Sequence, residues 1–154
     1  MHVQRIIEID APIAVVWRKI SNLTDIQNWS ETINEAHYHT DVERGVGAGR
    51  TCDVKGFGTI VENVLEWNEN ESFKLSMEGL PALVKDARGG WRLESLGANR
   101  TRATMTIDMQ TRFWPLGAVM EKLMLGPKFA KAIEGVQAEF KAYVESSLST
   151  EKAA

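Results

Sequence analysis

Few side chains in this sequence could do chemistry, and none falls into a catalytic pattern. Cys52 is the one cysteine. A thiol attacks only as the thiolate, which needs an electropositive and accessible setting. Among apolar strand residues a lone cysteine is more often a small hydrophobe. His37 and His39 stand two apart, so on a strand both rings could meet one metal ion. No third or fourth ligand lies at a matching spacing, and strand parity turns both rings to the wet face, so no metal is expected. The run Gly45-x-Gly47-x-Gly49 continues into Arg50 with no helix after it, unlike a dinucleotide fingerprint. Phosphate loop, nucleophile elbow and zinc-protease motif are all missing, and no cofactor is expected.

What remains is a set of polar groups placed among apolar ones. Asn63 lies between Val61 and Leu65. A buried amide without partners costs roughly 1–3 kcal/mol, so Asn63 must bond to backbone, water or a ligand. Tyr38 and Trp91 can pack and donate a hydrogen bond as well. A mostly apolar pocket with a few convergent polar groups is the usual form of a small-molecule site. Arg88, Arg92 and Arg102 share polar faces with Asp86, Glu94 and Asp108, and cross-strand charge pairs on the wet face account for them. The exception to turn inward would be Arg88, because Gly89-Gly90 follows it and could disturb the strand register. An inward arginine would bind a ligand carboxylate.

These residues depend on the elements that carry them. Residues 3–10 alternate as a strand, and Asp10-Ala11-Pro12 opens a helix with Asp10 as its cap. A short second helix spans about 24–27 and ends near Trp29. From there the period is two for about 80 residues, with strands over 34–44, 49–56, 58–68, 71–78, 84–96 and 101–113. The turns between them are rich in Gly and Asn, as in an antiparallel meander. After Pro115 the period becomes helical, and Gly126-Pro127 should kink or split that pattern. The last helix, about 128–147, would be ~30 Å long.

This order is α+β: about seven antiparallel strands, two short helices after the first strand, and one long C-terminal helix. A sheet with one wet face must cover the other, and only the terminal helix is long enough. A space between sheet and helix follows. Parity assigns to it Tyr38, Asn63, Met77 and Trp91, then Met105, Ile107 and Met109. The helix adds Met120, Met124, Phe129 and Ile133, and Trp29 stands near the mouth. Five of the six methionines fall in this set, and methionine suits a pocket that adapts its shape. A space below about 300 Å³ would argue against a ligand.

Length and composition set the limits. The chain has 154 residues, read as one domain over 1–148 and a frayed tail over 149–154. With 18 basic and 21 acidic side chains the net charge is −3, which offers no basic surface for nucleic acid. No stretch reaches the ~20 apolar residues of a membrane span, and the opening residues lack the apolar run of a secretory signal. One free thiol suits a reducing compartment, so the cytoplasm is expected. An exposed edge strand could pair two chains as a homodimer.

The sequence resembles the polyketide cyclase/dehydrase and lipid-transport family of the START-like (helix-grip, SRPBCC) superfamily. The resemblance rests on Asp10-Ala11-Pro12, Val15-Val16-Trp17, the stretch from Leu23 to Trp29, the glycine turn from Gly45 to Gly49 and the terminal helix. It implies a helix-grip fold and a cavity that commonly holds a hydrophobic small molecule; the family shares no catalytic motif. The first expectation is therefore a carrier or binding protein for a lipid, quinone or polyketide-like molecule. An alternative is a cyclase or dehydratase in which Tyr38, Asn63 or a histidine orients an enolate or moves a proton. A third is a protein-interaction module with a vestigial cavity.

Overall fold

The computed structural model describes residues 1–112 and 126–153. Strand β1 (His2–Ile9) leads into helix α1 (Ile13–Ile20), a 3₁₀ turn (Leu23–Asp25) and the single-turn helix α2 (Ile26–Trp29). Strands β2 (Ile33–Tyr38), β3 (Gly49–Val54), β4 (Gly58–Asn68), β5 (Ser72–Glu78), β6 (Val84–Gly97) and β7 (Arg100–Thr111) follow, then helix α3 (Gly126–Ala153). The seven strands form one antiparallel sheet in the order β1-β7-β6-β5-β4-β3-β2. The expected meander is present, and β1 joins it beside the last strand.

Some local expectations are corrected. Strand β2 stops at Tyr38, and residues 39–48 form a longer connection with Gly45 and Gly47 at φ of 82° and 94°. Those dihedrals suit glycine, which has no Cβ to clash. The residue at the cap position of α1 is Pro12, and Asp10 does not cap the helix. The Asp10 amide instead donates to Glu145 Oε1 of α3 at 2.8 Å. Helix α3 begins at Gly126 and continues to Ala153, past the expected end near 147. Its 28 residues correspond to ~42 Å of helix.

Helix α3 is held by one apolar and one polar stripe. Phe140 and Val144 are fully buried and belong to the main core, with Trp17, Leu23 and Trp91. The Phe140 ring lies 5.1 Å from that of Trp29 and 5.4 Å from that of Trp91. One side chain thus joins α3, α2 and β6. Next to this stripe, Gln137 Nε2 donates to the Arg5 carbonyl at 3.0 Å and Lys141 Nζ to the Glu8 carbonyl at 2.8 Å. Gln137, Lys141 and Glu145 are spaced by four and lie along one line of the helix. They satisfy backbone groups at β1 that would otherwise be left unpaired. At the far end of the sheet, Gln27 Oε1 accepts from the Ala36 amide of β2 at 3.2 Å. Side chains of α3 and α2 therefore occupy part of the edge-strand surface through which two chains could pair.

Truncating Phe140 to Ala should cost about 3–5 kcal/mol, the range for a buried aromatic ring. Glu134→Ala, which removes only an exposed partner of Arg5, should change stability by less than about 0.5 kcal/mol. Urea unfolding of the two variants beside the parent chain checks both values.

Candidate functional site

The sheet's concave face and Val136 of α3 enclose a cavity of about 120 Å³. Ile26, Trp29, Phe73, Leu75, Trp91 and Met105 give it apolar walls. Polar side chains line it as well: Asn22, Ser30, Thr32, Arg50 and Glu62. Gly89 contributes space, because a Cβ there would overlap the Met77 methyl group. The volume bounded by the described residues is below the ~300 Å³ of a drug-sized site, so by the size criterion set above it counts against a ligand of that size. It is near the ~150 Å³ that accepts a single benzene ring in an engineered apolar cavity.

Two of the polar lining residues form a buried ion pair. Arg50 and Glu62 face each other across β3 and β4, with side chains 11% and 8% exposed. Arg50 Nε donates to Glu62 Oε2 at 2.5 Å, and Nη1 donates to the Leu23 carbonyl. The Leu23 amide in turn donates to Tyr38 Oη at 3.2 Å. Both backbone groups of Leu23 are thus held by inward side chains, and the 3₁₀ turn is fastened to β2 and β3. Burial, the largest single effect, would lower the Arg50 pKa; the attraction of Glu62, with those of Cys52 and Tyr38 and the hydrogen bond to Glu62, together outweighs it and raises the pKa above the ordinary value. Cys52 lies on the same face, with Sγ 3.8 Å from Glu62 Oε2. Burial pushes its pKa up to about 11, so the thiol is protonated and unsuited to attack.

The structure separates the expected site residues into groups. Trp29, Met77, Trp91 and Met105 line the cavity. Ile107 and Ile133 pack with Val3 in a second core cluster, and Met109 is buried. Tyr38 turns inward, but its hydroxyl is occupied by Leu23. Met120 and Met124, and the side chain of Phe129, lie outside the described residues.

Asn63 is corrected to the opposite face of the sheet, where its Oδ1 meets His39 Nε2 at 3.0 Å. The cause is a bulge in β4 between Val64 and Glu66. Trp67 points inward as parity requires, but the extra residue shifts everything before it by one. Val64 and Glu62 therefore face the core, while Leu65 is exposed. His39 also meets Thr51, and His37 is exposed beside it on the outer face. Arg88 stays outside with Asp86, because the register of β6 runs unbroken through Gly89 and Gly90.

Arg50 and Glu62 are the site residues that sequence reasoning missed. Their charge argued for the wet face. The signal was nevertheless present, since Arg50 has the parity of Cys52. The turn at Gly56 sets Arg50 opposite Glu62, so opposite charges meet directly across one hairpin.

Two stability measurements test this arrangement. Glu62→Ala leaves a buried guanidinium unpaired and should cost about 3–5 kcal/mol, whereas the double replacement Arg50→Met with Glu62→Leu should recover most of that loss. Urea midpoints of the single and double variants decide it. Cys52 gives a pH effect of known sign. Its pKa rises from the ordinary 9.0 to about 11 in the folded chain, so stability is full below 9.0 and falls as pH climbs toward 11. Tyr143 adds a similar loss, since burial raises its pKa from 10.0 to about 12. Cys52→Ala should flatten the decline between about pH 9 and 10, read from unfolding midpoints across that range.

The sequence matches the family described as polyketide cyclase / dehydrase and lipid transport over residues 1–145. No curated protein matches it at a significant level. Among solved structures it resembles the ZhuI aromatase/cyclase from a Streptomyces species, with 17% identity and a TM-score of 0.70 over 94% of this chain and 95% of that one. A START superfamily protein from Mycobacterium smegmatis superposes with a TM-score of 0.73 at 15% identity, over 94% and 97% of the two chains. The di-domain aromatase/cyclase BexL gives 0.78 at 13% identity, over 94% of this chain and 46% of that longer one. At these identities the structural likeness speaks for the fold, which is the helix-grip fold. The match along residues 1–145 shows that the chain belongs to the polyketide cyclase/dehydrase and lipid-transport family.

Proposed function

We propose that the protein binds a hydrophobic small molecule between its sheet and α3, as a carrier or binding protein. The observation that supports this best is the composition of the cavity, whose lining is mostly apolar and includes the hydrogen-bonding pair Arg50 and Glu62. That is the arrangement by which a small-molecule site secures affinity and orientation. The volume limits the reading. About 120 Å³ takes one ring or a short chain, so a lipid, quinone or polyketide-like ligand needs its walls to move. Met77 and Met105 are the walls best able to do so, being unbranched and free to change rotamer. Under this reading the protein works in the cytoplasm and has no nucleic-acid partner. A homodimer is not required to complete the site.

A second reading is an enzyme of the cyclase or dehydratase type. Two structural relatives are named aromatase/cyclases, and Arg50 and Glu62 converge on the cavity. Against a nucleophilic mechanism stands the protonated Cys52.

Native mass spectrometry of protein purified from its own host should show a retained hydrophobic molecule. Met77→Trp, which pushes an indole into the cavity, should weaken binding of an added apolar probe such as naphthalene by about tenfold or more. Circular dichroism shows whether that variant keeps its fold. No retained mass together with no naphthalene binding by the parent chain would contradict ligand binding and favour an interaction module. Conversion of a bound polyketide-like molecule would favour the enzyme.

A further inference from the structure

The ion pair in the cavity wall has two unused hydrogen-bonding groups. Arg50 commits Nε to Glu62 Oε2 and Nη1 to the Leu23 carbonyl. Its Nη2 amino group and the second carboxylate oxygen, Glu62 Oε1, have no hydrogen-bond partner among the described residues. Neither is sealed in the protein. Among the described residues, Ser21 Oγ is the one sealed and unpartnered polar side-chain atom. Both residues line the cavity, so its wall carries one residue with an uncommitted donor and one with an uncommitted acceptor.

The charge of this wall matters more than its arginine. An unpaired guanidinium would select a carboxylate. Here Glu62 neutralises it at 2.5 Å, and an anion drawn to the guanidinium would also meet the charge of the Glu62 carboxylate. Attraction and repulsion would nearly cancel, while the anion would lose its hydration on entering an apolar cavity. A neutral group that accepts from Nη2 and donates to Oε1 meets no such penalty. The geometry is also fixed in advance, since Leu23 holds the guanidinium and Tyr38 holds Leu23. Such preorganisation favours binding because little ordering is left to do.

We infer that the cavity selects a neutral ring whose buried end both donates and accepts a hydrogen bond, such as a phenol, an enol or a primary carboxamide, and rejects the corresponding carboxylate. This rests on the ligand-binding reading above and gives it a ligand class.

Benzamide, benzoate and toluene have nearly the same size and test the inference directly. Each is titrated against the intact chain near neutral pH, with binding followed by ligand-observed NMR. Benzamide should bind about tenfold or more tightly than either toluene or benzoate. Glu62→Gln, which leaves the guanidinium charge uncompensated, should shift the preference toward benzoate by about tenfold or more. Should that variant fail to fold, the three parent-chain titrations decide the matter alone. Toluene binding as well as benzamide would overturn the inference, and so would benzoate binding more tightly, while the ligand-binding reading would stand. If none of the three binds but a hydrophobic molecule is retained in native mass spectra, the inference alone is overturned. If nothing binds and nothing is retained, both fall.

Discussion

Phe140 is the contact on which the arrangement depends. Its ring lies between Trp29 and Trp91, so helix α3, the short helix α2 and strand β6 meet through one buried side chain. A sheet of seven strands cannot leave its concave face in water, and one helix must cover it. The wedge at Phe140 fixes how far that helix can descend. On one side of it the interior is solid, with Trp17, Trp67 and Phe73 stacked edge to face and face to face. On the other side Val136 and Trp29 stand over β5 and β6 without filling the gap. Solid core and cavity are thus two halves of one packing solution.

The same constraint explains where charge is buried. Residues 21–32 must cross from α1 to β2 over the rim of the sheet, and their backbone groups need partners. Arg50 reaches the Leu23 carbonyl from below, and Glu62 compensates it. The pair is costly to bury and hard to remove singly, so its value lies in holding the rim in one position. In the turn between β4 and β5, Glu69 has a comparable role at the surface. It accepts from the indoles of Trp17 and Trp67, and Arg44 of the long connection pairs with it. These hydrogen bonds, that of Trp67 foremost, lower the Glu69 pKa.

Periodicity carried most of the fold. Strand alternation and the long apolar stripe of α3 gave the element order, because each must bury one face and has no other means of doing so. The candidate site was read less well, and for two physical reasons. A single bulge in β4 reversed the faces of the residues before it, which moved Asn63 out and Glu62 in. Charge at Arg50 and Glu62 masked positions that parity and hairpin register would have brought together. The methionines were legible as a class. Which of them meet the cavity was not, since Met77 and Met109 have the same strand parity yet only Met77 lines it.

The central claim is that the space beside Phe140 takes up a small molecule. The most direct measurement is an NMR spectrum of the methionine methyl groups, labelled with carbon-13, as benzamide is added. Met77 and Met105 border the cavity, whereas Met109 is packed away from it. The Met77 and Met105 signals should move together and saturate, with Met109 unchanged. Signals of Met77 and Met105 that stay fixed with benzamide and with naphthalene alike, in a chain that retains no molecule, would contradict the claim.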